Sequence, residues 1–147
     1  MHGKISPQRE QDIRESFDRQ GLMTSFGARV DEVTKGRVVL SMPHSNRITQ
    51  QHGFFHGGAV GALADSACGY AALSMAGEGE AGLTAEYKIN LLSPADGEKL
   101  IAVGEVIKAG RTLIVAQGDV FVEKGGARKR CATMLMTLCV VKTLGNI

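Results

Sequence analysis

Between His56 and Gly77 the chain runs HGGAVGALADSACGYAALSMAG, a stretch of small residues with a single charge, Asp65, near its middle. It predicts one long helix. On that helix Gly57, Gly61, Asp65 and Gly69 fall four apart and form one row, a face with almost no side chain except a carboxylate. Something must come close to that face. Val60, Leu63, Ala67, Tyr70, Ala71 and Ser74 lie on the other side, apolar enough to pack against a sheet. An internal Gly costs a helix about 1 kcal/mol relative to Ala, so Gly61 and Gly69 imply a helix held by tertiary packing.

The stretch is long enough to span a bilayer, but Ala and Gly insert weakly and a mid-helix Asp costs about 3 kcal/mol there. A buried helix of a water-soluble domain is the better reading. Asp65 lies two turns inside the helix and cannot cap it. A carboxylate so placed is either structural, paired with an Arg or capping a neighbouring loop, or it is functional.

With 147 residues, the chain is expected to form one domain, 1–147, with residues 1–24 as an N-terminal helical extension. An apolar content of 44% excludes disorder. No charged segment followed by an apolar one marks the N-terminus, and the expected location is the cytoplasm. Three cysteines without a CxxC pair agree with reduced thiols. Cys131 and Cys139 on one strand would lie about 26 Å apart, too far to bond.

The net charge of +2 is unevenly spread. From Lys99 onward eight Lys/Arg oppose three Asp/Glu, a net of +5, whereas residues 1–98 carry nine against twelve, a net of −3. The basic half suits a small polyanionic ligand. Nucleic acid fits less well, because the charges are scattered over strands and aromatic content is only 5%.

Ser6-Pro7 opens a short amphipathic helix with Ile13 and Phe17 on one side, ending near Gly21. Ala28 to Val33 and Arg37 to Met42 form a hairpin around Thr34-Lys35-Gly36, and Pro43 stops the second run. A polar loop then feeds into the glycine helix, a place where Asn, Gln and His side chains can meet a ligand. Four strands follow: Leu83 to Leu92, Leu100 to Lys108, Thr112 to Glu123 and Arg128 to Lys142. In the third, Gln117, Asp119 and Glu123 alternate with Val120 and Val122; in the last, Arg130, Ala132, Met134, Met136, Leu138 and Val140 are in phase. The class is α+β, with one antiparallel sheet curled around the central helix.

His52-Gly53-Phe54-Phe55-His56-Gly57-Gly58 through Leu63 and Asp65 resembles the hotdog-fold acyl-CoA thioesterases, in their phenylacetate-pathway (PaaI-like) branch. Leu83 to Ala95 and Lys108-Ala109-Gly110-Arg111-Thr112-Leu113 extend the resemblance over the last two thirds of the chain. It implies hydrolysis of an aryl- or medium-chain acyl-CoA, without metal or other cofactor, in a homodimer or homotetramer with its sites at the dimer interface. Thioester hydrolysis needs an oxyanion donor, a base or nucleophile, and a water. By resemblance the Gly57 N–H is the donor, at the positive end of the helix. Asp65 of the other subunit is the general base or nucleophile, and Thr84 orients the water.

A side-chain amide fifteen residues before the acid assists; the branch has Asn there, whereas this chain has Gln50, as in the 4-hydroxybenzoyl-CoA branch. Gln51 is a substitute. The resemblance gives His56 the shaping of the loop at the helix start. Lys108, Gly110, Arg111, Thr112 and Arg128 are candidates for the coenzyme A phosphates, the Gly110-Arg111-Thr112 turn being favoured by resemblance. Phe54, Phe55, Tyr70 and Met75 are candidates for the acyl pocket.

Cys68 or Ser66 as a nucleophile with a His is a weaker alternative, because thiols among small core residues are inert. His44, His52 and His56 lack the spacing of a metal set. A hotdog hydratase or dehydratase is disfavoured by the His-Gly-Gly start, and a non-catalytic acyl-CoA-binding protein is the main rival.

Overall fold

The computed structural model describes residues 3–142. Ser6 accepts the Arg9 N–H and Pro7 takes the first helical position, so α1 (Pro7–Asp18) starts where those residue types favour it. Ile13 and Phe17 are buried. The helix stops at Asp18 rather than near Gly21, and a second helix, α2 (Gly21–Ser25), follows because Met23 is drawn into the core. Arg9 donates to the Ala76 and Gly77 carbonyls, which ties α1 to the turn after the central helix.

The remaining elements are β1 (Arg29–Thr34), β2 (Arg37–Pro43), α3 (Gly57–Leu73), β3 (Ala81–Leu91), β4 (Lys99–Ala109), β5 (Leu113–Lys124) and β6 (Ala127–Val141). α3 ends four residues before Gly77. There the Ser74 hydroxyl donates to the Ala71 carbonyl at 2.6 Å and accepts the Gly36 N–H at 2.7 Å, turning the chain out of the helix. The strands form one antiparallel sheet in the order β1-β2-β4-β5-β6-β3, with α3 packed on its concave face, as expected. None of the described helices is long and apolar enough to cross a membrane.

Val60, Leu63, Ala67, Tyr70 and Ala71 are all buried, but the tightest contact is made where neither partner has bulk. Gly104 and Gly118 face each other across β4 and β5 directly beneath α3. A Cβ on Gly104 would overlap the Ala67 backbone, and one on Gly118 would lie 2.7 Å from Cys68 Sγ. The helix backbone thus rests on the sheet itself.

The Gly row of α3 lies against β3 of the same chain. A Cβ on Gly57 would lie 2.9 Å from Leu91 Cδ1, and one on Gly61 would touch Tyr87 and Ile89. A bulge between Thr84 and Glu86 puts Thr84 on this inner side together with Tyr87, although the two are three residues apart. A second bulge corrects the phasing of the last strand. Val120 pairs with Ala132 but Phe121 with Arg130, so Cys131 is buried while Arg130 is exposed on the outer face, out of phase with Ala132 and Met134.

Burial pushes the Cys68 thiol up to about 12, with the negative charges of Asp65 and Asp119 adding to it, and burial pushes Cys131 up to about 11. At pH 8 the Cys68 thiol therefore stays protonated and poorly nucleophilic. Cys139 is only partly buried. Labelling with a thiol reagent at pH 8 should modify Cys139 first and reach Cys68 only after denaturant is added; rapid labelling of Cys68 in the folded protein would contradict this packing. Gly104→Ala should lower the unfolding free energy by about 2–3 kcal/mol in a urea titration. Gly21→Ala, where an added Cβ meets nothing, is the control, and equal stability of the two variants would refute the close seat of α3.

Candidate active site

The loop before α3 is built around Gln50. Its backbone N–H donates to the Phe54 carbonyl at 2.9 Å, and its side-chain oxygen accepts the N–H groups of His52 and Phe54. The carboxamide oxygen is therefore occupied in holding the turn, and its NH2 is the end left for other partners. Phe55 is buried with its ring edge against His44, and its N–H donates to the Ala95 carbonyl at 3.0 Å. These bonds deliver the chain to the helix at a fixed angle.

His56 is the N-cap of α3: its Nδ1 accepts the Gly58 N–H at 2.8 Å. An imidazole used in this way has Nδ1 unprotonated, so the ring serves the helix start. Gly57 is the first helical residue, and its N–H has no carbonyl within the helix to receive it. With the helix dipole behind it, this N–H suits an oxygen that gains negative charge.

Asp65 lies eight residues further along α3. Its Oδ1 accepts the Thr84 hydroxyl at 2.8 Å, and the carboxylate opens into a cavity of about 330 Å³. Asp65 is partly buried and forms no ion pair with an Arg or Lys among the described residues. The structural alternative of an Arg-paired carboxylate therefore finds no support. Eight helical residues span roughly 12 Å. Gly57 N–H and Asp65 of one chain thus cannot touch the same small group.

The basic candidates separate into two sets. Lys108, Gly110, Arg111 and Thr112 are exposed around the β4–β5 turn, which is held by the Gly110 N–H to Leu113 carbonyl bond at 2.8 Å. Arg128 lies at the far end of β5, stacked over Phe121 at 5.9 Å and 3.8 Å from Glu123. A strand of twelve residues puts roughly 35 Å between the two sets within one chain. The β4–β5 turn is at the Asp65 end of α3 and Arg128 at the Gly57 end, as the registers Thr84↔Leu138, Ile114↔Leu138 and Leu91↔Ala132, Val120↔Ala132 require.

The cavity beside Asp65 also holds residues that spacing did not reveal. Ser16 and Gln20 enter it from α1 and the turn after it, meeting Ser66 and Tyr70. Their separation of about fifty positions leaves no local sequence signal. Of the four acyl-pocket candidates, Tyr70 lines this cavity, whereas Phe55 is in the core and Met75 lines a separate groove beside α1.

The chain and its fold are similar to known proteins. The family model described as the thioesterase superfamily matches residues 52–129, over half of the chain. The crystal structure of a thioesterase family protein from Silicibacter pomeroyi superposes with a TM-score of 0.90 at 46% identity, covering 92% of this chain and 99% of that one. The PaaI protein of the E. coli phenylacetic acid degradation operon shares the fold, with a TM-score of 0.83 at 21% identity over 94% of this chain and 96% of its own. An esterase-named protein of Saccharolobus solfataricus is 31% identical over 106 residues, 71% of this chain and 75% of that one. The chain therefore belongs to the thioesterase superfamily, as a hotdog-fold thioester hydrolase.

Proposed function

We propose that the protein hydrolyses aryl- or medium-chain acyl-CoA thioesters at composite sites, each formed by Gly57 of one subunit and Asp65 of its partner. The separation of the two groups along one rigid helix carries this reading, because a single subunit holds the oxyanion donor and the acid roughly 12 Å apart. β3 supplies the means of pairing. It is an edge strand, and Leu83, Tyr87 and Leu91 are exposed along it with Leu92 just beyond, a combination that invites a second strand. Gly57 and Asp65 are equally far from Gly61. A two-fold axis near Gly61 would set each Gly57 beside the partner's Asp65.

The chemistry then follows from the side chains. The thioester oxygen accepts the Gly57 N–H, and the Gln50 NH2 is a second donor near the loop. Thr84 occupies Asp65 Oδ1, which leaves Oδ2 to take a proton from water as the water oxygen attacks the carbonyl carbon. Collapse of the tetrahedral intermediate breaks the C–S bond, and the departing CoA thiolate recovers the proton from Asp65. The same two-fold pairing would bring Arg128 of one subunit and the Lys108 to Thr112 turn of the other to one end of the dimer. There both sets are available to the CoA phosphates. The tetramer is a further pairing of such dimers.

Release of free CoA thiol from benzoyl-, phenylacetyl- and straight-chain acyl-CoAs tests the reading. Asp65→Asn should lower kcat by about 10³-fold with the thermal transition unchanged. Activity retained in that variant would remove Asp65 from the mechanism. Wild-type protein that binds these esters without releasing thiol would show a binding module instead.

A further inference from the structure

The cavity at Asp65 has a polar wall that the proposed hydrolysis does not use. Gln20 Nε2 donates to the Tyr70 hydroxyl at 2.8 Å, Ser16 Oγ lies 3.1 Å from the same oxygen, and the Ser66 hydroxyl donates to Gln20 Oε1 at 3.4 Å. A carboxamide offers two N–H groups and two acceptor lone pairs. Tyr70 and Ser66 take one of each, and the remaining pair belongs to a side chain that lines the open cavity. Tyr70 is 5% exposed, with its ring edge against the buried Phe17, so it is a fixed post that orients Gln20.

The rest of the wall is apolar, formed by Leu73, Ala81 and Leu138. Ser66 adjoins Asp65, and Tyr70 lies five residues along the helix, roughly 7.5 Å from the acid. The cavity thus presents the Asp65 carboxylate, aliphatic surface and a partly engaged carboxamide held to Ser66 and Tyr70. Its volume of about 330 Å³ is twice that of a cavity able to hold benzene, about 150 Å³, so a ring or a short chain fits with a substituent to spare.

We infer that Gln20 is a specificity-determining residue which hydrogen-bonds a hydroxyl or carbonyl oxygen carried at the far end of the acyl group. The inference rests on the reading of Asp65 as part of an acyl-CoA site. Leu73 and Leu138 cover the carbon skeleton, while α1 becomes one wall of the substrate site. A site built to bond a substrate hydroxyl strongly disfavours the analogue without it, because its own polar groups are then left unpaired.

The experiment uses matched substrates that differ in one distal hydroxyl: hexanoyl- and 6-hydroxyhexanoyl-CoA, and benzoyl- and 4-hydroxybenzoyl-CoA. The wild type should favour the hydroxylated member of at least one pair by about 10-fold or more in kcat/KM. Gln20→Leu should bring that ratio to within about 2-fold of one, whatever the absolute rates, and Tyr70→Phe should reduce it in part. Gln20→Met serves if the Leu variant does not fold. A wild-type ratio near one overturns the inference, as does a ratio that survives in Gln20→Leu while both rates fall together, since Gln20 then only fastens α1. If no ester releases thiol, the hydrolysis reading has failed. Calorimetric affinities for the same pairs then decide this inference by the same ratios.

Discussion

The structure depends on a contact from which side chains have been removed. Gly104 and Gly118 leave a bare patch on β4 and β5, and the backbone of α3 at Ala67 and Cys68 sits on it. With no bulk between helix and sheet, the strands can curl closely around α3, and the helix can neither rise nor rotate without opening a void. The two groups assigned to the reaction centre are mounted on that helix. Its N-cap residue holds the first turn through the Gly58 N–H, its middle carries Asp65, and its second half carries Ser66 and Tyr70.

A rigid mount also sets a limit. The Gly57 N–H and the Asp65 carboxylate stay two helical turns apart, and no loop movement within one chain brings them together. The edge strand β3 covers the Gly row with Leu91, Tyr87 and Ile89 yet keeps its own outer edge and several large apolar side chains exposed. The proposed pairing of two copies would turn both features to use, and it would also bring together basic residues that a single strand keeps far apart.

The sequence made α3 and its row of glycines legible because a run of small residues with one charge permits few alternatives. Turn residues such as Thr34-Lys35-Gly36 likewise marked a hairpin. Features that depend on pairing across the sheet were hidden. Gly104 and Gly118 mean nothing until the β4–β5 register sets them side by side, and the bulge at Cys131 moves Arg130 to the outer face against an alternation that looked regular. The Gly row suggested room for an incoming group, whereas β3 of the same chain fills much of it. The resemblance did not extend over the first 45 residues, yet Ser16 and Gln20 reach the Asp65 cavity because α1 docks on Tyr70, a contact over about fifty positions that no local spacing records. The bond between Thr84 and Asp65 joins two residues singled out separately, one on the helix and one on a strand.

The composite site is the central claim, and subunit mixing tests it most directly. Gly57→Pro removes the N–H while Pro remains acceptable at a first helical position, and Asp65→Asn removes the acid. Each variant alone should be nearly inactive. Mixed one to one and allowed to exchange subunits, half of the dimers are hybrids with one intact site, and activity should return to about a quarter of the wild-type value. A mixture that stays as inactive as its parents after verified exchange would place the donor and the acid of each site in the same subunit and contradict the account.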